Sequence, residues 1–417
     1  NQWLILEDYS KLINYFDPSV KFQLFLFNRR VSEEELEAQL DIPLQRDAFD
    51  DIREEYSMML KKQSSKGTNG IIKSKYFVFG IDAADLKEAR AKLNNIEKDV
   101  LRNLNAMGTN AHSLDGKERL RVLHEYFNQG NMEPFHFSFK ELSESGKSVK
   151  DYIAPPGFDF RYPNRFRSGK MFGCVHYLDI IAPRFTDELL KRLLDIDDNL
   201  TITITYENDT LELLDDLNSS NQKIIKMTFL ITTYGETKKK MEALQQRVSG
   251  IIQQANCNLR PLQYLQEQGL MASAPIGCND TGIERVLTTK STAILVPFCT
   301  QELFMPSPAI YYGLNALSNN MIMADRKKLR TPNGVILGTP GSGKSFSAKR
   351  EILSSFLQTR DDVVICDPEG EYFPLVQALH GQVVRLATNS KDYLNPMDIQ
   401  ISHKGDKETL KLTSDFL

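Results

Sequence analysis

The octapeptide Gly338-Thr339-Pro340-Gly341-Ser342-Gly343-Lys344-Ser345 constrains this chain more than any other feature. It satisfies G-x-x-x-x-G-K-[ST] in full, and that pattern requires a strand on one side and a helix on the other. The apolar run Val335-Ile336-Leu337 precedes it, and from Ser345 to Leu357 the positions Phe346, Ile352, Leu353 and Phe356 fall on one helical stripe. Glycines let the backbone curl so that successive N–H groups converge on a phosphate, and the helix N-terminus adds partial positive charge. Lys344 is placed to neutralise β- and γ-phosphate oxygens, and the Ser345 hydroxyl to ligate a bridging Mg2+. The nucleotide-binding set is therefore Gly338, Thr339, Pro340, Gly341, Ser342, Gly343, Lys344 and Ser345, with Phe346 just inside the helix.

A second charged constellation follows the apolar run Val363-Val364-Ile365-Cys366, in the order Asp367-Pro368-Glu369-Gly370-Glu371-Tyr372. In a parallel α/β sheet, ligands sit beyond the carboxyl ends of the strands, so these acids are expected to face the nucleotide. Glu369 or Glu371 could polarise the attacking water, and Asp367 could hold a metal-bound water. The alternative is that Asp367 caps the next turn while both glutamates are solvated. Cys366 reads as a small buried hydrophobe beside these acids.

Upstream, the pattern is different. Lys21–Phe27 and Lys75–Ile81 read as strands, with a turn at Asn28-Arg29-Arg30, a helix over Asp47–Lys62 and a loop over Ser64–Gly70. Leu86, Ala89, Leu93, Ile96, Val100 and Leu104 recur at helical spacing, and Glu33-Glu34-Glu35 reads as a solvated face. Past the break at Ala154-Pro155-Pro156-Gly157, Leu200, Ile202, Ile204 and Tyr206 alternate with Thr201, Thr203 and Thr205, which predicts a strand with one buried and one wet face. Ile224–Thr233 is a further strand. Met241, Leu244, Val248, Ile251, Ile252 and Ala255 predict a helix that begins on Lys238, Lys239 and Lys240, an unfavourable end for cations unless something offsets them. The expectation is an α+β region of ferredoxin-like βα units with helices on one sheet face, followed by the start of an α/β P-loop domain.

In that last domain, Ala293–Phe298, Val335–Leu337, Val363–Cys366 and Val383–Leu386 read as doubly buried strands, entered through a hairpin of Ala309–Gly313 and Met321–Asp325. The division expected is 1–155, 156–290 and 291–417, within the two to four domains that 417 residues allow at roughly 100–200 residues each.

The 51 basic and 55 acidic residues balance to a net charge of −4, which demands neither nucleic acid nor an anionic membrane. Locally, Arg161, Arg165, Arg167 and Lys170 interleave with Phe160, Tyr162, Phe166 and Phe172; the readings are a nucleic-acid surface or a loop whose arginines pair with carboxylates. Five scattered cysteines without C-x-x-C read as reduced thiols of a cytosolic compartment. Six dispersed histidines offer no zinc spacing, and no run reaches the roughly 18 apolar residues of a spanning helix.

The tracts Gly338–Ser345, Asp367–Tyr372 and Leu394-Asn395-Pro396-Met397-Asp398-Ile399 together resemble the ATPases that power conjugative type IV secretion, the VirB/TraE class of the HerA–FtsK branch of RecA-like motors. Tyr311–Arg326 and Asp151–Phe160 are similar to that class as well. The resemblance implies an N-terminal adaptor and a RecA-like domain that hydrolyses ATP with Mg2+, using Lys344, Ser345, Asp367 and Glu371. It further implies a homo-oligomer, a hexamer, that docks on inner-membrane secretion-channel components at the cytoplasmic face of a bacterial membrane. Only 72 residues follow Ser345, and none forms an apolar strand ending in Asp-Glu, so the expectation is a fragment of a longer protein that ends inside its motor domain. A DNA-translocating motor of the same branch, and a docking module without catalysis, are the competing functions.

Overall fold

The computed structural model describes residues 2–30, 40–64, 70–109, 111–129, 135–180, 185, 188–208, 222–297, 303–305, 308–315, 320–329 and 331–387. The chain forms two compact units, Asn1–Asn333 and Gly334–Leu417. The first is built on strands β1 (Val20–Arg30), β2 (Ile71–Ile81), β3 (Phe158–Tyr162), β4 (Arg165–Ser168), β5 (Met171–Ile180), β6 (Leu200–Asn208), β7 (Ile224–Gly235), β8 (Cys257–Pro261) and β9 (Arg285–Thr288). They make one sheet in the order β2-β1-β6-β7-β5-β4-β3, with β8 beside β5 and β9 beside β7. Every pairing in it is antiparallel.

β1 runs through Asn28 and Arg29 to Arg30, where the sequence predicts a turn, because Asn28 pairs with Lys73 on one side and Leu200 on the other. The boundary expected at 155/156 falls inside this sheet: β1 and β2 lie before it, yet β1 pairs with β6 beyond it.

Helices α1 (Gln2–Tyr15), α2 (Asp50–Ser64), α3 (Leu86–Ala106), α4 (Gly116–Phe127), α5 (Glu188–Leu194), α6 (Lys238–Gln254), α7 (Gln266–Ser273) and α8 (Thr289–Thr292) surround the sheet. Their ends carry familiar stops and starts. Asp50 and Asp51 open α2 and Lys61 and Lys62 close it, complementing the helix dipole. Asp115 and Glu118 form a capping box at α4, and the Asp85 side chain accepts from the Glu88 amide at α3. In α3 only the second half of the expected stripe is covered: Ile96, Val100 and Leu104 are buried, while Leu86 and Leu93 are exposed. The lysines that open α6 are offset locally, Lys238 by Glu242 at 3.5 Å and Lys240 by Glu236, under a Thr237 cap.

Alternation sends Phe22, Leu24 and Leu26 of β1, Ile202 and Ile204 of β6 and Phe229 and Ile231 of β7 to one face, where they pack with α1, α3, α5 and α6 residues such as Leu12, Val100, Leu193 and Val248. Phe25 and Phe27 lie in a second core with Val122 and Tyr126 of α4 and Leu270 and Ala272 of α7. Both faces are thus covered, against the expectation of helices on one. The threonine row of β6 is accordingly dry: Thr201, Thr203 and Thr205 are all buried.

Polar atoms beneath this second layer bond the last turn of α7. Tyr126 Oη donates to the Leu270 carbonyl (2.9 Å), Gln23 Nε2 to Ala272 (3.1 Å) and Thr203 Oγ1 to Ser273 (2.8 Å). Helix C-terminal carbonyls have no intrahelical donor, so a threonine and glutamine face here serves as their cap.

Ala293–Val296 is not a strand; it continues from α8 into a turn, with Ala293 and Leu295 fully buried in the first core. Phe298 and residues 65–69 and 316–319 lie outside the described residues, as does the acidic run 33–35. The predicted hairpin is present as β10 (Ile310–Leu314) and β11 (Met321–Ala324), paired antiparallel as a separate two-stranded sheet at the end of the first unit. Among the described residues, Cys174 and Cys257 are buried and Cys278 and Cys366 exposed, and no helix is long and apolar enough to cross a membrane.

The Arg/aromatic stretch is the β3–β4 hairpin and its flank. Arg161 pairs with Asp159 (2.6 Å), Arg165 lies 3.8 Å from the Tyr162 ring centroid and Arg167 lies 5.5 Å from that of Phe172. Phe166 is buried. These partners lie within the hairpin and its neighbouring strand, as the carboxylate-pairing reading expects for Arg161.

Candidate functional site

In the second unit, helix α9 (Lys344–Gln358) begins directly at the glycine-rich loop. The loop turns at 339–342, where the Ser342 amide donates to the Thr339 carbonyl (3.1 Å). Gly341 and Gly343 have φ of +78° and +85°, the left-handed region that glycine enters without a Cβ penalty. At Gly338 a Cβ would lie 2.3 Å from Ser342 Oγ, so a side chain there would force that hydroxyl to rotate away.

The start of α9 contradicts ordinary helix design. Gly343 is its N-cap, no side chain bonds its first turn, no acid lies there, and Lys344 occupies the first position. Its opening amides and the helix dipole are left to an external anion, and the lysine that destabilises an isolated helix start becomes favourable when that anion is present. Gly338 to Lys344 and Phe346 are exposed, with Ser345 half-buried, so a phosphate chain can reach the loop without rearrangement. These residues fit a Mg2+–nucleotide.

The acidic tract folds as a turn. Asp367 Oδ1 accepts from the Gly370 amide (3.0 Å) and Oδ2 from the Tyr372 amide (2.8 Å). The Tyr372 amide above all, helped by those of Glu371, Gly370 and Glu369, holds the Asp367 carboxyl below its ordinary value. Gly370 has φ +73° at the turn's tight point, and α10 (Phe373–Ala378) follows with Pro374 in its first turn. Lys349 Nζ lies 5.4 Å from the Tyr372 ring centroid, which joins the second turn of α9 to the acidic turn.

Residues 322–414 match the family model of the central domain of helicase HerA. The match takes in the glycine loop, α9 and the acidic turn, 93 of the 417 residues. It supports the HerA–FtsK branch and fits a P-loop ATPase that binds nucleotide, usually with Mg2+. No curated protein matches the chain.

Within this HerA-like region the structure departs from several expectations. Residues 335–337, 363–366 and 383–386 are not strands; they lie without ladder partners among the described residues, and Val335, Leu337, Val364 and Leu386 are exposed. A parallel strand obtains its hydrogen bonds only from neighbours on either side, so an apolar run without them remains extended and wet. Cys366 is exposed for the same reason, not a buried hydrophobe. Asp367 caps its turn with both oxygens, and among the described residues no three His, Cys, Asp or Glu side chains come together as a metal site. Glu369 and Glu371 stand exposed on that turn, and residues 394–399 lie outside the described residues. Sequence reasoning missed Lys349; no motif marks it, because its significance comes from Tyr372, which only the fold brings beside it.

Proposed function

We propose that this chain is an ATP-hydrolysing motor that energises a conjugative type IV secretion apparatus. The observation that carries the ATPase reading is the start of α9: two left-handed glycines, an uncapped first turn and Lys344 where a free-standing helix would place an acid. Lys344 and the loop amides bind and orient the polyphosphate, and Ser345 offers its hydroxyl to the cation. Bound Mg2+ supplies charge neutralisation across the β- and γ-phosphates. Glu371, or Glu369 beside it, accepts a proton from the attacking water, while Asp367 keeps both glutamates on a fixed turn. The secretion role rests on the resemblance of the motif tracts and on the size of the sheet unit that precedes the loop, which acts as an adaptor toward membrane-embedded components. Assembly as a hexamer at the cytoplasmic face belongs to the same proposal.

A DNA-translocating motor is the second reading, favoured by the HerA match. The full-length protein should show Mg2+-dependent ATP turnover that Lys344→Ala abolishes and that Glu371→Gln lowers more than it lowers ATP binding. Turnover by Lys344→Ala at the unsubstituted rate overturns the assignment of the loop. Strong stimulation by double-stranded DNA, with no binding to secretion-channel components, transfers the proposal to the second reading.

A further inference from the structure

The Arg/aromatic hairpin leaves one of its guanidinium groups without an acceptor. Arg161 has Asp159 at 2.6 Å, and Arg167 Nε donates to the Gly169 carbonyl at 3.0 Å. Arg165, between them, has no hydrogen-bond or carboxylate partner among the described residues, and its Nε is buried as well as unbonded. Buried polar atoms in folded proteins are nearly always bonded, so such an orphan calls for an explanation. The group is held in place. Its central carbon lies 3.8 Å from the Tyr162 ring centroid, and the turn between the two residues is pinned where the Tyr264 amide donates to the Pro163 carbonyl (2.7 Å). A guanidinium stacked face-on keeps its N–H groups around its edge, the arrangement that takes a planar anion through two parallel bonds.

Arg165 lines a cavity of about 440 Å³, within the roughly 300–1,000 Å³ typical of small-molecule sites. Gln245 and Ser249, one turn apart on α6, line it too, and neither side chain is bonded among the described residues. Met241 and Leu259 contribute apolar surface, and Cys174 and His176 complete the lining that matters here. This last pair is satisfied and uncharged. The Cys174 thiol donates to His176 Nε2 (3.3 Å) while Nδ1 donates to the Ile231 carbonyl (3.3 Å), and burial pushes the thiol up to about 12 and the imidazole down to about 4. Glu242 is the other charged residue of the lining; it is half-exposed and pairs with Lys238 at 3.5 Å. The cavity therefore offers one unpaired cation, neutral donors and an apolar wall, and Glu242 disfavours a ligand that carries two negative charges.

We infer that this cavity binds a small organic monocarboxylate, its head group on the Arg165 guanidinium and its apolar body against Met241 and Leu259. Gln245 and Ser249 supply neutral donors to the carboxylate oxygens that Arg165 does not saturate. Binding supplies the acceptor that the Arg165 donors lack, and it ties the β3–β4 hairpin to α6. Every residue of the site belongs to the first unit, so the inference stands apart from the ATPase reading.

The test titrates the whole chain by calorimetry with three probes of one shape: benzoate, the neutral benzamide and dianionic phenyl phosphate. Benzoate should bind one to one and about tenfold or more tighter than benzamide, the discrimination expected of a charge-assisted pair. Phenyl phosphate should bind more weakly than benzoate. Arg165→Gln should erase the preference for benzoate over benzamide. No saturable benzoate binding, equal affinity for benzoate and benzamide, or a preference that survives in Arg165→Gln overturns the site, and phenyl phosphate binding tightest overturns the carboxylate head group. Should Arg165→Gln fail to fold, Ser249→Phe decides by placing a ring in the cavity: loss of benzoate binding supports the site, and unchanged affinity overturns it.

Discussion

Leu24 and Leu337 are the same residue type in similar apolar runs, yet the first is 0% exposed and the second 89%. Leu24 belongs to a strand paired on both edges, with Phe77 opposite it in β2 and Ile204 opposite it in β6, and with helices over both sheet faces. Leu337 precedes the glycine loop in a segment with no ladder partner among the described residues. Apolar composition makes burial favourable, but neighbours on both edges and both faces are what deliver it. In the first unit stability resides in the sheet; in the second, the organised features are a helix start and a capped turn.

The largest expected effect tests that contrast directly. Leu24→Ala should cost about 2–5 kcal/mol in urea unfolding, the usual range for a buried leucine, whereas Leu337→Ala should stay within about 0.5 kcal/mol. Equal losses would mean that the two segments share one kind of environment after all. Next, Gln23→Ala should cost about 1–3 kcal/mol, because it leaves the Ala272 carbonyl and the Gly277 amide, bonded at 3.1 Å each, buried without a partner. A loss no larger than that of an exposed substitution would show that α7 does not depend on its polar bed.

Gly343→Ala should act on the other unit alone. A Cβ at φ +85° costs about 1–2 kcal/mol, which predicts roughly tenfold weaker binding of a fluorescent ATP analogue with the urea transition of the sheet unit unchanged. Unaltered nucleotide affinity would remove the loop's backbone from the binding argument. The smallest effect concerns Asp159, whose carboxyl Arg161 holds down at about 2. A depressed carboxylate stabilises the folded state above its unfolded value near 4 and loses that contribution as pH falls toward 2. An NMR titration should place the Asp159 midpoint near 2 and return it toward the ordinary value in Arg161→Gln; an unmoved midpoint assigns the shift elsewhere.

Much of this contrast can be read from the sequence, and the exceptions have physical causes. β1 and β6 are legible because alternation survives whichever layer covers them, β2 because its residues are aromatic and β-branched, and α6 because its stripe is complete from Met241 to Ile252. The threonines of β6 read as wet since nothing local reveals that α7, some seventy positions later, brings carbonyls for Thr203 to bond. Ala293 and Leu295 look like strand residues because a short apolar run has no period to distinguish a strand from a buried turn. At the site, the glycines and Lys344 announce themselves because close backbone approach leaves few alternatives to glycine. Lys349 stays hidden because its partner lies beyond α9, in the acidic turn.

The position of β1 has a consequence for how the chain is made. Its hairpin partner β2 follows within sixty residues, but Phe22 must wait for Tyr206 on its other edge. At about 5–20 residues per second of synthesis, that delay is roughly 10–40 s. Throughout it the apolar edge of β1 is finished but unmatched, the state in which nascent chains engage one another or a chaperone. Ribosome-bound chains stalled shortly before Leu200 should therefore be the most aggregation-prone lengths of this protein, and those with β7 emerged should be markedly less so.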